Sequence, residues 1–189
     1  MSPGTVCTMI SAIVAVIASG ALACGQMDRG DGVSAIAMIE PTRDYETKGT
    51  VRLESLDEGG VRVIADLKGL SSGRHAFHVH EVGDCSEEAA AAGPHFNFLT
   101  ETEASEPPPQ RITGNLGELE VDDSGRARLE ATIGMAQLEG PRSIVGRSVV
   151  VHARGNDASS PPDGDAGERI ACGVIEPVPG RNVASNASR

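Results

Sequence analysis

Aromatic residues are nearly absent from this 189-residue chain, which has no Trp, one Tyr and three Phe. A core must therefore be built from Val, Ile, Leu and Ala. Positive charge is scarce too, with 16 Lys and Arg against 27 Asp and Glu and a net charge of −11. That balance argues against nucleic acid or an anionic membrane surface as a partner, since both are bound through basic patches. An anionic substrate would need a local cation to overcome the overall field. No segment shows a long helical period, which weighs against a helical bundle. Cysteine is sparse at four residues, and no Cys pair has zinc-finger spacing.

The uncharged run from Met9 to Ala23, MISAIVAVIASGALA, is too short to cross a bilayer comfortably. It ends in Ala21-Leu22-Ala23 and is followed by Cys24, the shape of a secretory signal peptide, although MSPGTVCT before it carries no Lys or Arg. Cys24 also resembles the acylated cysteine of a bacterial lipoprotein box, with Ala21 where Leu is usual. The expected organisation is a signal peptide over 1–23, a flexible tether over 24–32, one β domain over 33–177 and a disordered tail over 178–189. The protein is expected outside the cytoplasm, in the periplasm or cell envelope, with possible membrane attachment through acylated Cys24. Within the domain, Cys85 and Cys172 form either one long-range disulfide or two buried thiols.

What is present is short, β-branched and punctuated by glycine. VSAIAMIEP, TVRLESL and VRVIADLKGL read as strands, as do His75–His80, Leu116–Val121, Ala127–Ile133, Ser148–His152 and Ile170–Ile175. Asp122-Asp123-Ser124-Gly125 reads as a hairpin turn. Two long irregular segments, Gly83 to Gly114 and Arg154 to Glu168, interrupt the pattern and are candidates for function. About eight short strands imply an all-β, antiparallel β-sandwich or Greek-key barrel.

Four of the five histidines fall between Gly73 and Asn97. His78 and His80 alternate along a strand, so their imidazoles leave one face while Phe77 and Val79 leave the other. His95 follows in the first long segment, and His152 ends the apolar strand SVVVH. An all-imidazole set suits copper, zinc, iron or nickel, with the divalent affinity order favouring copper. A blue-copper centre would need a Cys thiolate beside them.

The stretches GRHAFHVHEVGDC, AAGPHFN, GNLGEL, VGRSVVVHA and GERIACGVI, in this order, resemble the copper–zinc superoxide dismutases, of the bacterial exported type. The resemblance covers Val33 to Glu176 and implies an eight-stranded antiparallel Greek-key barrel or sandwich, immunoglobulin-like in architecture, with two functional loops. It places copper ligands at His78, His80, His95 and His152, half-disulfides at Cys85 and Cys172, and the arginine that guides superoxide at Arg169. His75 takes the place of a structural histidine. The implied reaction is dismutation of superoxide to O₂ and hydrogen peroxide; the alternative is a non-enzymatic copper store or chaperone on the same fold. Monomer and homodimer are both compatible with it.

The zinc half of the family's site does not carry over. Glu103 and Ile112 stand where histidines are expected, Asn115 where an aspartate is, and Asn156 where a second aspartate links the two metal sites. Glu101, Glu103 and Glu106 are the carboxylates near enough in sequence to compensate. The expectation is a copper-only variant, with Arg169 and Arg154 supplying local steering of the anion.

Overall fold

The computed structural model describes residues 33–99 and 112–179. Eight strands follow in chain order: β1 (Ser34–Pro41), β2 (Lys48–Ser55), β3 (Val61–Lys68), β4 (Gly73–His80), β5 (Asn115–Val121), β6 (Arg126–Ile133), β7 (Ser148–His152) and β8 (Arg169–Val178). Each coincides with a segment expected to be a strand. Their hydrogen-bonded order is β5-β4-β7-β8-β1-β2-β3-β6, and every ladder is antiparallel. The neighbours β4–β7, β8–β1 and β3–β6 are not consecutive in the chain, which is the crossing pattern of a Greek key. β5 and β6 occupy the two ends of this order, yet the turn at Asp122 joins them, with Gly125 N–H donating to the Asp122 carbonyl at 3.1 Å. Gly117 of β5 lies against Leu129 of β6, so the sheet curls into a nearly closed barrel.

The alternation along β3 explains the interior. Val61, Val63, Ala65 and Leu67 are buried while Asp66 and Lys68 are exposed. Each such aliphatic side chain contributes roughly 1.5–3 kcal/mol on leaving water. All three phenylalanines, Phe77, Phe96 and Phe98, join this core.

β4 and β7 depart from the alternation. His75 to His80 are buried without a break, and so are all residues of β7. Phe77, Val79, Val149 and Val151 fill the barrel, whereas the opposite face is roofed by the long segments. Beneath the first roof, Ala89 and Ala92 pack on Val150 and Cys172 in a small separate cluster. The Cys85–Cys172 disulfide pins this roof to β8, with Cα atoms 5.7 Å apart across a sequence separation of 87. Closing so long a loop stabilises the fold by roughly 2–4 kcal/mol.

That roof carries an unusual turn. Glu87, Glu88 and Ala89 take φ values of 53°, 58° and 64° in succession, each costing roughly 1–2 kcal/mol for a residue with a side chain. The disulfide and the burial of Ala89 hold it, and a 3₁₀ turn, Ala90–Ala92, follows. Beyond the turn, the chain runs beside the end of β4. Val82 N–H bonds the Ala92 carbonyl, Glu81 N–H that of Pro94, and Phe96 N–H that of Val79. His95 thereby becomes the bridge partner of His80.

Candidate metal centre

Four imidazoles converge on the roofed face. His78 and His80 come from β4, His152 from the end of β7 and His95 from the roof, and one ligand atom of each lies within 4.8 Å of all the others. Among the described residues this is the single cluster of metal-ligating side chains. Both strands are irregular at the site, the ladders slipping register between Phe77 and His78 and between Val151 and His152. Such bulges re-aim side chains locally.

The hydrogen bonds decide which nitrogen faces inward. A carbonyl can only accept, so His80 Nδ1 donates to the Gly93 carbonyl at 2.9 Å and His152 Nδ1 to that of Gly167 at 3.2 Å. Their Nε2 atoms are left unprotonated, and they face each other at 3.3 Å. Two lone pairs opposed at that distance repel unless a cation lies between them. His78 Nε2 donates to Asn156 Oδ1 at 2.7 Å, leaving its Nδ1 3.1 Å from His95 Nε2. His75 lies apart from the cluster, with Nδ1 donating to the His152 carbonyl at 2.8 Å, as a structural histidine should.

Burial keeps the cluster neutral. Desolvation, reinforced by the neighbouring imidazoles, depresses His78 to about 2. His80 falls to about 3 and His152 to about 4, again chiefly through burial, with Arg169 and the other histidines adding to it. His95 is lowered for the same primary reason, while Asp163 acts in the opposite direction. Neutral imidazoles near pH 7 are the form that binds a metal ion.

His95 differs from the other three. Its Nδ1 is buried without a hydrogen-bond partner among the described residues. The carbonyls of Pro162 and Thr113 favour a proton on the ring, yet neither bonds Nδ1. In the segment where the resemblance expects further ligands, Ile112 offers only methyl and methylene groups, packed so closely under Gly164 that a Cβ there would lie 2.8 Å from Ile112 Cδ1. Asn115 Oδ1 accepts the Gly117 N–H at 2.9 Å and reaches Asn156 Nδ2 at 3.5 Å. Glu101, Glu103 and Glu106 lie outside the described residues, as does Cys24.

Arg169 opens β8 opposite His152. Its guanidinium donates to the Gly93 carbonyl at 2.7 Å and to that of Ala89, so the left-handed turn fixes its position. Thr42 Oγ1 donates to the Arg169 carbonyl at 2.6 Å. Arg154 Nη2 donates to Asp165 Oδ1 at 3.1 Å and to the Asp165 carbonyl at 2.9 Å, in an ion pair exposed to solvent. The anchoring carbonyls of Gly93 and Gly167 were not anticipated; their only sequence signal is a glycine close to each roof segment's functional residue.

The family model for copper/zinc superoxide dismutase (SODC) matches residues 47–175. Superoxide dismutase [Cu-Zn] A of Xenopus laevis is 38% identical over 149 residues, which cover 76% of this chain and 97% of that protein. Superoxide dismutase [Cu-Zn] of Onchocerca volvulus is 36% identical over 152 residues, 75% of this chain and 94% of its own. With this match laid over the barrel, the disulfide and the imidazole cluster, the chain belongs to the copper/zinc superoxide dismutase family.

Proposed function

We propose that this chain is a copper-dependent superoxide dismutase that works without zinc and outside the cytoplasm. The observation that carries the activity is the four-imidazole cluster with its opposed, unprotonated nitrogens. Its donor set fits copper, for which neutral nitrogen ligands have the highest affinity of the first-row divalent ions. His78 Nδ1 and the Nε2 atoms of His80, His95 and His152 would hold the ion. Copper held there supplies one-electron chemistry, oxidising one superoxide to O₂ and reducing the next, with two protons, to hydrogen peroxide.

The remaining work belongs to the chain's own residues. Arg169 supplies the local cation that a protein of net charge −11 needs to draw in an anion. Its bonds to the Ala89 and Gly93 carbonyls aim the guanidinium and leave further N–H donors for a small anion. The Gly93 and Gly167 carbonyls and Asn156 fix the ligand tautomers, so that no ring has to rotate as electrons pass.

The copper-only reading is supported by Ile112, which has no donor atom, and by Asn115, whose oxygen is occupied by a backbone amide. Zinc sites are built from histidine, cysteine and carboxylate ligands, and no described carboxylate belongs to the imidazole cluster, Asp163 acting on the His95 ring through its charge. Export is supported by the leader-like run over 9–23 and by a disulfide, which persists in oxidising compartments. Cys24 is the expected point of lipid attachment. The activity is tested by loading the mature chain with copper in zinc-free buffer and following superoxide decay directly. Fast, copper-dependent decay supports the enzyme, whereas bound copper without decay would point to a store or chaperone.

A further inference from the structure

The structure assigns a positioning role to the ion pair Arg74–Glu118, which lies outside the imidazole cluster and acts on it through Asn156. The inference rests on the reading of His78 as a copper ligand.

Glu118 lies on β5 and Arg74 on the neighbouring β4, where Glu118 is opposite Ala76 and Arg74 opposite Glu120. They are therefore diagonal neighbours, within reach of long side chains. Glu118 is the inward one, its side chain 16% exposed against 63% for Arg74. Its Oε2 is paired with Arg74 Nη2. Its Oε1 accepts the backbone N–H of Asn156 at 2.6 Å, a short charge-assisted bond. Asn156 Oδ1 in turn accepts the proton on His78 Nε2 at 2.7 Å. The order Arg74, Glu118, Asn156, His78 thus runs from solvent to a nitrogen that faces the other imidazoles.

Two further features suit this role. A Cβ at Gly155 would lie 3.0 Å from Glu118 Oε1 and 3.1 Å from Arg74 Cβ, so glycine allows the second roof segment to settle directly on the pair. Arg154 O, just before it, accepts the Ala76 N–H at 2.8 Å, which ties the same backbone to β4. A neutral amide side chain can turn over, presenting Nδ2 where Oδ1 was. The amide of Asn156 is oriented by its Nδ2, which donates toward Asn115 Oδ1, while Glu118 grips the backbone N–H and so keeps the residue where both side-chain bonds form. Glu118 thereby acts by placing Asn156, whose amide oxygen selects the nitrogen of His78 that is left free. Without Arg74, that half-buried carboxylate would be uncompensated.

The test uses the full chain with E118A, E118Q, G155A and, as a control, R62Q, which removes the exposed Arg62–Glu130 pair on the far side of the barrel. In the metal-free protein, nitrogen NMR of the histidine rings reads the His78 tautomer directly. In the copper-loaded protein, affinity and the copper EPR spectrum read the ligand field. We expect E118A to lose the slowly exchanging Nε2 proton of His78, to change the EPR spectrum and to lower copper affinity roughly tenfold. E118Q keeps an acceptor and should retain most of both properties; G155A should shift the EPR spectrum in the direction of E118A but by less. R62Q should alter only the melting temperature. Wild-type tautomer, spectrum and affinity in E118A would overturn the inference, as would equal changes in R62Q. If E118A does not fold, E118Q and G155A carry the same comparison, and an unchanged spectrum in G155A would count against it. Failure of the wild-type protein to bind copper would sink the ligand reading instead, while the metal-free spectra would still decide the link from Glu118 to His78.

Discussion

The two flanks of His95 share the same pair of roof segments as cover and reach opposite chemical ends. Toward His78, His80 and His152, every outward nitrogen is tied to a carbonyl or an amide oxygen, and the inward nitrogens oppose each other without protons. On the other flank the His95 Nδ1 is left without a hydrogen-bond partner, Ile112 has no donor atom and the Asn115 oxygen is already bonded. The difference shows what a metal asks of a protein. Donors must be present, and each must be held in one tautomer from behind. At Ile112 and Asn115 there is aliphatic packing and amide pairing instead.

Removing a donor from the ordered flank should have the largest effect. H80A is expected to reduce copper-dependent superoxide decay to background, measured with bound copper counted in the same samples. Rebuilding the other flank comes next. E103H, I112H and N115D together should let the protein take up zinc, raising the melting temperature when zinc is added. At a thousandfold excess over Kd that linkage is worth about 4 kcal/mol. A triple variant that gains no zinc would mean that Ile112 and Asn115 are not what separates the flanks.

Arg169 tests the approach to the ordered flank rather than its ligands. R169E should slow the reaction roughly tenfold to a hundredfold and invert its dependence on salt. R154Q should change the rate by less than about twofold, because Arg154 is an exposed cation screened by solvent and paired with Asp165.

The smallest effect is expected on stability of the metal-free protein. His78, His80 and His152 have folded-state values of about 2, 3 and 4, all below the ordinary 6.5. Between those limits the unfolded chain binds more protons, so stability is full above pH 6.5 and is lost as the pH falls through the folded-state values. Melting temperatures of metal-free protein should fall from pH 7 to pH 5, and copper, which keeps protons off the same nitrogens, should raise both values while leaving the slope in place. A metal-free protein equally stable at both values would contradict the burial of neutral imidazoles.

Much of the ordered flank was legible because it is written in strands. The spacing of His78 and His80 places two imidazoles on one face, and the strand ending at His152 lies beside theirs through the β4–β7 ladder. All eight strands could be read because alternation and glycine punctuation are local properties. The supporting contacts could not. Glu118 meets Asn156 across 38 positions, and Arg169 meets Gly93 across 76; no period in the chain marks either pair. Arg154 illustrates the same point from the other side, since a cation in an irregular segment gives no sign of the acid that will pair with it. The unpaired nitrogen of His95 is likewise invisible in the sequence, because which carbonyls fall short of it depends on how the two long segments fold together.

The contrast between the flanks predicts one metal per chain rather than two. Purified protein should be offered copper and zinc together in excess, freed of loosely bound ions, and both metals counted per chain while superoxide decay is followed. One copper, no zinc and fast decay is the predicted result. Zinc bound in equal amount to copper would contradict it, and would require donors that neither Ile112 nor Asn115 can supply.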